Sequence, residues 1–132
     1  MRVKVFISVM AVVLGLAVGY YFFRPHTFHG TVIQSPEPSY NFTLTSSSGD
    51  VSLTDYRGKL VLMYFGYTFC PDICPATLAN VGQALRDLGS QADDIQVIMV
   101  SLDPERDTPE MLAEYVGHFY PSFIGITGSK EQ

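Results

Sequence analysis

Tryptophan is absent from this 132-residue chain, and cysteine occurs only twice. Two cysteines cannot build a disulfide-dense mini-protein or a four-cysteine zinc site. They leave room for one redox pair or one two-thiolate metal site. Charge is sparse as well: 16% of residues are charged, eight Lys plus Arg against thirteen Asp plus Glu, for a net of −5. No basic stripe runs along the chain, so no nucleic-acid partner is expected. A phosphate-binding glycine loop, a serine-nucleophile motif and a paired-carboxylate spacing are also missing. At 47% hydrophobic residues the chain is too apolar for disorder. Its length allows one domain.

The N-terminus carries a long apolar run. Val5 to Phe23 holds no formal charge. As a helix its nineteen residues would rise roughly 28 Å, close to the ~30 Å hydrocarbon core of a bilayer. Arg2 and Lys4 precede it and favour a cytoplasmic N-terminus. Tyr20, Tyr21, Phe22 and Phe23 cluster where such a helix would leave the membrane. A cleaved signal peptide is the rival reading, with Ala17-Val18-Gly19 as a small-x-small site. The run is longer than a usual signal core and bulky aromatics follow that site, so an uncleaved single-pass anchor in the cytoplasmic membrane is expected. Either way the rest of the chain lies on the extracytoplasmic, periplasmic side. The division expected is 1–4 cytoplasmic, 5–23 anchor, 24–39 linker and 40–132 folded part. Pro25, Pro36 and Pro38 keep the linker from continuous helix. His26 and His29 fall within it and read as solvated residues rather than ligands.

The remainder alternates strand and helix patterns, an α/β arrangement. Tyr40–Leu44 reads as an edge strand, Ser47–Asp50 as a turn and Val51–Leu53 as a return strand. Leu60 to Tyr67 is nearly unbroken apolar and suits a strand covered on both faces. Pro75–Leu88 reads as a helix with a stripe of Leu78, Val81, Leu85 and Leu88, capped by Gly89. Ile95–Val100 is a second central strand, and strand–helix–strand implies a right-handed crossover with parallel pairing. Asp107–Phe119 reads as the next helix, with Pro109 in its first turn and a possible Asp107/Glu110 capping box. Phe123, Ile124 and Ile126 open another strand. The pattern then stops, which leaves the sheet with an uncovered side and suggests a chain truncated or completed by another.

Both cysteines lie in Cys70-Pro71-Asp72-Ile73-Cys74, directly after the first central strand. Sites in open α/β sheets form at such strand ends. On a helix, positions 70 and 74 share one face. A helix N-terminus favours the thiolate, and two thiolates suit Cu(I). A structural disulfide, a dithiol redox pair and a copper site all remain open at this point. Closing so short a loop constrains the unfolded chain little, and the usual redox pair has two intervening residues rather than three. Asp72 reads as a local cap, Met63, Met99 and Met111 as core, and His118 as a partner for helix-end carbonyls. The segment Asp103–Asp107 is either a partner surface or a turn that positions the next helix.

The stretch Gly58–Pro75, Gly-Lys-Leu-Val-Leu-Met-Tyr-Phe-Gly-Tyr-Thr-Phe-Cys-Pro-Asp-Ile-Cys-Pro, closely resembles the SCO/SenC family. Ser101–Glu110, Ser-Leu-Asp-Pro-Glu-Arg-Asp-Thr-Pro-Glu, and Phe-Ile-Gly-Ile-Thr-Gly at 123–128 do so too. The resemblance implies a thioredoxin-like fold, incomplete at the C-terminus, behind one transmembrane helix. It implies a copper chaperone that delivers the metal to the binuclear copper centre of cytochrome c oxidase. The partners implied are the copper-bearing oxidase subunit, an upstream copper donor and a thiol reductant. A membrane-anchored thiol-disulfide oxidoreductase acting on that centre's cysteines is the alternative; a non-functional or partner-completed fragment is the third. The family's ligands are two cysteines and a distant histidine. Cys70 and Cys74 match the cysteines; the histidine would fall beyond Gln132, and His118 does not match it. Cu(I) is therefore the favoured cargo, since Cu(II) needs the missing nitrogen ligand.

Overall fold

The computed structural model describes residues 2–24, 30–31 and 40–129. His26, His29 and most of the expected linker lie outside the described residues. The chain divides into two compact units between Pro38 and Ser39.

The first unit is helix α1, Arg2–Phe23. Its span Lys4–Phe23 is long and apolar enough to cross a membrane. Such a helix satisfies its own backbone, which is what a hydrocarbon environment demands. Within its apolar stretch Ser8 donates its hydroxyl to Lys4 O at 3.0 Å. At the far end the Arg24 guanidinium lies 5.0 Å from the centre of the Tyr21 ring.

The second unit begins with a hairpin. Strands β1 (Thr43–Ser46) and β2 (Gly49–Ser52) pair antiparallel, from Thr43 opposite Ser52 to Ser46 opposite Gly49. The first strand starts and ends later than its alternation suggests, and the second starts earlier. The polar residues at the tip do both jobs: Ser46 Oγ donates to Gly49 O at 2.8 Å and accepts from Ser48 N at 3.2 Å. Gly49, at φ +115°, supplies the positive dihedral this tight reversal needs.

A parallel sheet follows, with strands β3 (Leu60–Gly66), β4 (Ile95–Ser101) and β5 (Ile124–Ile126) in that spatial order. Between β3 and β4 runs α2, Ile73–Leu88; between β4 and β5 runs α3, Pro109–Gly117. Side chains alternate across β4, so one strand serves two cores. Val97 and Met99 pack with Leu78 and Leu85 of α2 and Leu112 and Val116 of α3. Ile98 packs with Ile126 and Val51 on the hairpin side. Thr45 and Thr127 exchange two backbone hydrogen bonds of 2.9 Å, which seam the hairpin to the sheet. Gly125 permits the close approach of α3: a Cβ there would stand 2.6 Å from Leu112 Cβ. Full burial of each such Leu or Val stabilises by about 1.5–3 kcal/mol, and Leu112→Ala would cost about 2–5 kcal/mol.

Three expectations are corrected here. Among the described residues β3 pairs with β4 alone, and Leu60, Leu62 and Phe65 are exposed rather than covered. Leu88 leaves the α2 stripe and is exposed at the helix end. Gly82 sits in the helix contact instead, where a Cβ would meet Phe119 O at 2.6 Å. The cap of α3 is Thr108, whose hydroxyl accepts from Met111 N at 3.3 Å, and no Asp107/Glu110 capping box forms. Asp107 is drawn inward to a different task. Gly89 does end α2, at φ +59°, and Pro109 does occupy the first turn of α3.

Candidate metal centre

The apolar run of β3 ends at Gly66, and Tyr67 to Asp72 turn the chain into α2. Helix α2 begins only at Ile73. Cys74 therefore lies in its first turn, while Cys70 precedes the helix, so the pair does not share one helical face. The turn itself brings them together. Cys70 N donates to Tyr67 O at 3.3 Å, and Ala76 N donates to Asp72 O at 3.2 Å, opening the helix. Asp72 occupies the N-cap position without a side-chain cap bond; its backbone does the work expected of its carboxylate. Both thiols are free and buried, Cys70 at 9% and Cys74 at 4% exposure.

The Cys74 thiol hydrogen-bonds to Cys70, and this most of all holds the Cys70 thiol below its ordinary range. Burial opposes the shift, while backbone N–H groups of Cys74 and Asp72 and the Tyr67 side chain add to it. These are free amides of a helix N-terminus, gathered on a sulfur. Behind Cys74 stands Tyr64, whose hydroxyl is pushed up to about 12, first by its hydrogen bond to Cys74 and then by burial. Tyr64 thus stands against Cys74, and Cys74 against Cys70. Gly66 leaves the room for it: a Cβ there would lie 2.8 Å from Tyr64 Cε1, 3.3 Å from Cys74 Sγ and 3.4 Å from Met99 Cε.

The turn is tied down by a residue that sequence reasoning assigned to a capping box. Asp107, with no exposed surface, accepts from Thr68 N at 3.1 Å, Thr68 Oγ1 at 2.5 Å and Ser101 Oγ at 2.6 Å. The signal was present as Thr68, Ser101 and Asp107, three short polar residues at the C-terminal ends of β3 and β4 and the start of α3. Next to it Arg106 lies over the Phe69 ring at 5.1 Å and is ion-paired with Asp103. The segment 103–107 is thus a turn that braces the cysteine loop.

Other candidates stand apart. Met99 is buried in the core, Met63 is half-buried, and Met111 is exposed, contrary to its expected core position. Met111, Phe69, Tyr115 and His118 line a groove of about 310 Å³ beside the loop. His118 donates Nδ1–H to Glu114 O at 2.6 Å, the helix-end role expected of it. Among the described residues no three His, Cys, Asp or Glu side chains converge as a metal cluster. A concavity of about 750 Å³ beside Lys59, Arg86, Gln96 and Tyr120 holds neither cysteine. Two adjacent thiols, one favoured as thiolate, form a soft donor set suited to a monovalent d¹⁰ ion and short of the four ligands that tetrahedral zinc takes.

Known proteins share this arrangement of strand, turn and helix. The chain is 42% identical over 93 residues to the SCO2-like protein of Rickettsia felis, covering 70% of this chain and 45% of that protein. It spans less than half the length of that curated relative. The apo Sco1 protein of Thermus thermophilus superimposes with a TM-score of 0.75 at 44% identity, over 82% of this chain and 63% of that one. Bradyrhizobium japonicum ScoI, solved with copper bound, matches with a TM-score of 0.65 at 40% identity, over 70% of this chain and 59% of its own. The family model described as SCO1/SenC matches residues 32–132, and the chain belongs to that family.

Proposed function

We propose that reduced Cys70 and Cys74 carry Cu(I), and that the chain serves copper delivery to the binuclear centre of cytochrome c oxidase. The observation that carries this reading is the pairing of two buried thiols, with free helix amides gathered on one of them. The copper-bound state of the Bradyrhizobium relative supports it. In this reading an upstream donor passes Cu(I) to the pair, which sheds two protons as two thiolates bind. The acceptor's thiolates then replace Cys70 and Cys74 one at a time through shared-ligand intermediates, with no change in the oxidation state of copper. Cu(II) prefers a fuller, nitrogen-containing shell, and the described residues bring no imidazole to the pair.

The same local chemistry supports a second reading. Cys70, the favoured thiolate, attacks one sulfur of an acceptor disulfide and releases the other as thiolate. Cys74 then attacks the Cys70 sulfur of the mixed disulfide and releases the second acceptor thiol. The pair loses two electrons and two protons, and the acceptor gains them. A thiol reductant returns the pair to its starting state.

The reading places 1–4 in the cytoplasm, 5–23 in the membrane as a single pass, 24–39 as tether and 40–132 on the periplasmic side. Arg2 and Lys4 ahead of α1 support that orientation. A transfer assay separates the two chemistries. Copper-loaded chain is mixed with the oxidised and the reduced copper-binding fragment of the oxidase subunit. Copper moving to the reduced fragment supports delivery; rapid reduction of the oxidised fragment without copper transfer reverses the order.

A further inference from the structure

The two residues before Cys70 are each held by one of two consecutive residues from the β4–α3 connection. Asp107 takes Thr68, and Arg106 covers Phe69. The Asp107 contact bridges 39 positions of sequence and accepts both the amide and the hydroxyl of Thr68. Its third donor, Ser101 Oγ, also accepts Asp103 N–H at 3.0 Å, so the carboxylate is anchored to the end of β4. A fully buried carboxylate is a costly staple, because its donors must offset its lost hydration. An apolar contact would join the two loops more cheaply. What a carboxylate adds is direction, because it fixes a particular amide of the cysteine loop at hydrogen-bond distance.

We propose that Asp107 is a positioning residue for the thiol pair. Through Thr68 it holds the turn in which Cys70 N reaches Tyr67 O, and so it keeps the Cys70 sulfur against Cys74 and the first amides of α2. This inference rests on the copper reading for its consequence, but its geometry concerns the metal-free pair as well. Thr68→Val removes the hydroxyl donor at nearly constant volume, whereas Thr68→Ser keeps it. Asp107→Asn leaves one acceptor oxygen for three donors.

The test uses the full chain in detergent with two readouts. The first is Cu(I) affinity by competition with a chromophoric chelator. Thr68→Val and Asp107→Asn are expected to bind about tenfold more weakly, with Thr68→Ser within about twofold of the starting chain. The second is the reduction potential of the copper-free pair against glutathione. A tenfold fall in effective thiol concentration makes it about 30 mV less negative in Thr68→Val, and Thr68→Ser restores it. Leu85→Val, a core change at the other end of α2, controls for stability and should alter neither readout. Unchanged or more negative potentials in Thr68→Val, or an equal effect from Leu85→Val, overturn the proposal. Failure of the unaltered chain to bind Cu(I) overturns the copper reading instead, and the potential still decides the role of Asp107.

Discussion

Gly66 and Cys74 are neighbours through an absent atom: a Cβ on the glycine would stand 3.3 Å from the cysteine sulfur. The same Cβ would press on the edge of the Tyr64 ring at 2.8 Å, closer than real contacts allow. Gly66→Ala must therefore move the tyrosine, the thiol or the strand end. Overpacking of this kind costs about 1–3 kcal/mol. The expected outcome is a lower unfolding midpoint together with weaker Cu(I) binding, read by thermal denaturation and chelator competition on one preparation. Full retention of both would mean that the Tyr64–Cys74 packing is slack.

Tyr64 gives a pH signature. Its folded value near 12 exceeds the ordinary 10.0 because its hydroxyl donates to Cys74. Between those values the unfolded chain has released this proton and the folded chain has kept it. The unfolded state then binds fewer protons, so this group makes stability fall as pH rises from about 10 toward 12. Below pH 10 it contributes its full share. Tyr64→Phe should flatten that part of the urea-midpoint profile. An unchanged slope would show that the decline belongs to other groups.

Cys70 predicts the opposite sign. Its folded value is depressed, first by the Cys74 thiol, so its thiolate forms at lower pH than an ordinary thiol of 9.0. Stability from this group is present above the unfolded value and is lost as pH falls through the folded one. Trapping with a small alkylating reagent, followed by peptide mass spectrometry, should find the midpoint of the Cys70 modification profile shifted below 9. Cys74→Ala, which removes the donor, should move it back up. A midpoint at or above the ordinary value would contradict the donor arrangement.

Thr108 tests the brace more gently. Its hydroxyl caps α3 by accepting from Met111 N. Thr108→Ala should lower stability by about 1 kcal/mol. Asp107 precedes this cap, so a larger loss would indicate that cap and brace unfold as one unit; denaturant titration reads the difference.

The parts of the fold that follow a period were legible. β3 and β4 stand out as apolar runs, α2 as a stripe of Leu78 and Leu85, and their connection fixes parallel pairing. The misreadings have local causes. The hairpin bounds moved because Ser46 can end a strand or extend it, and hydrogen bonds at the tip decided for extension. Leu88 and Met111 lie one step past the buried arc, where periodicity carries no depth information. The cysteine pair was visible as a spacing and in its family motif. Its geometry was not, since Cys70 lies outside the helix and the contacts that hold it come from Tyr64, Thr68 and a carboxylate 37 positions downstream. A short polar residue in a loop fits capping and long-range bracing equally well until the strands are paired.

The most direct test of the central claim is Cu(I) titration of the reduced full chain, with X-ray absorption of the product. One tightly held Cu(I) per chain with two sulfur neighbours is expected, with loss of tight binding in both Cys70→Ser and Cys74→Ser because one thiolate is not a chelate. Wild-type affinity in either variant, or copper with no sulfur neighbours, would contradict it.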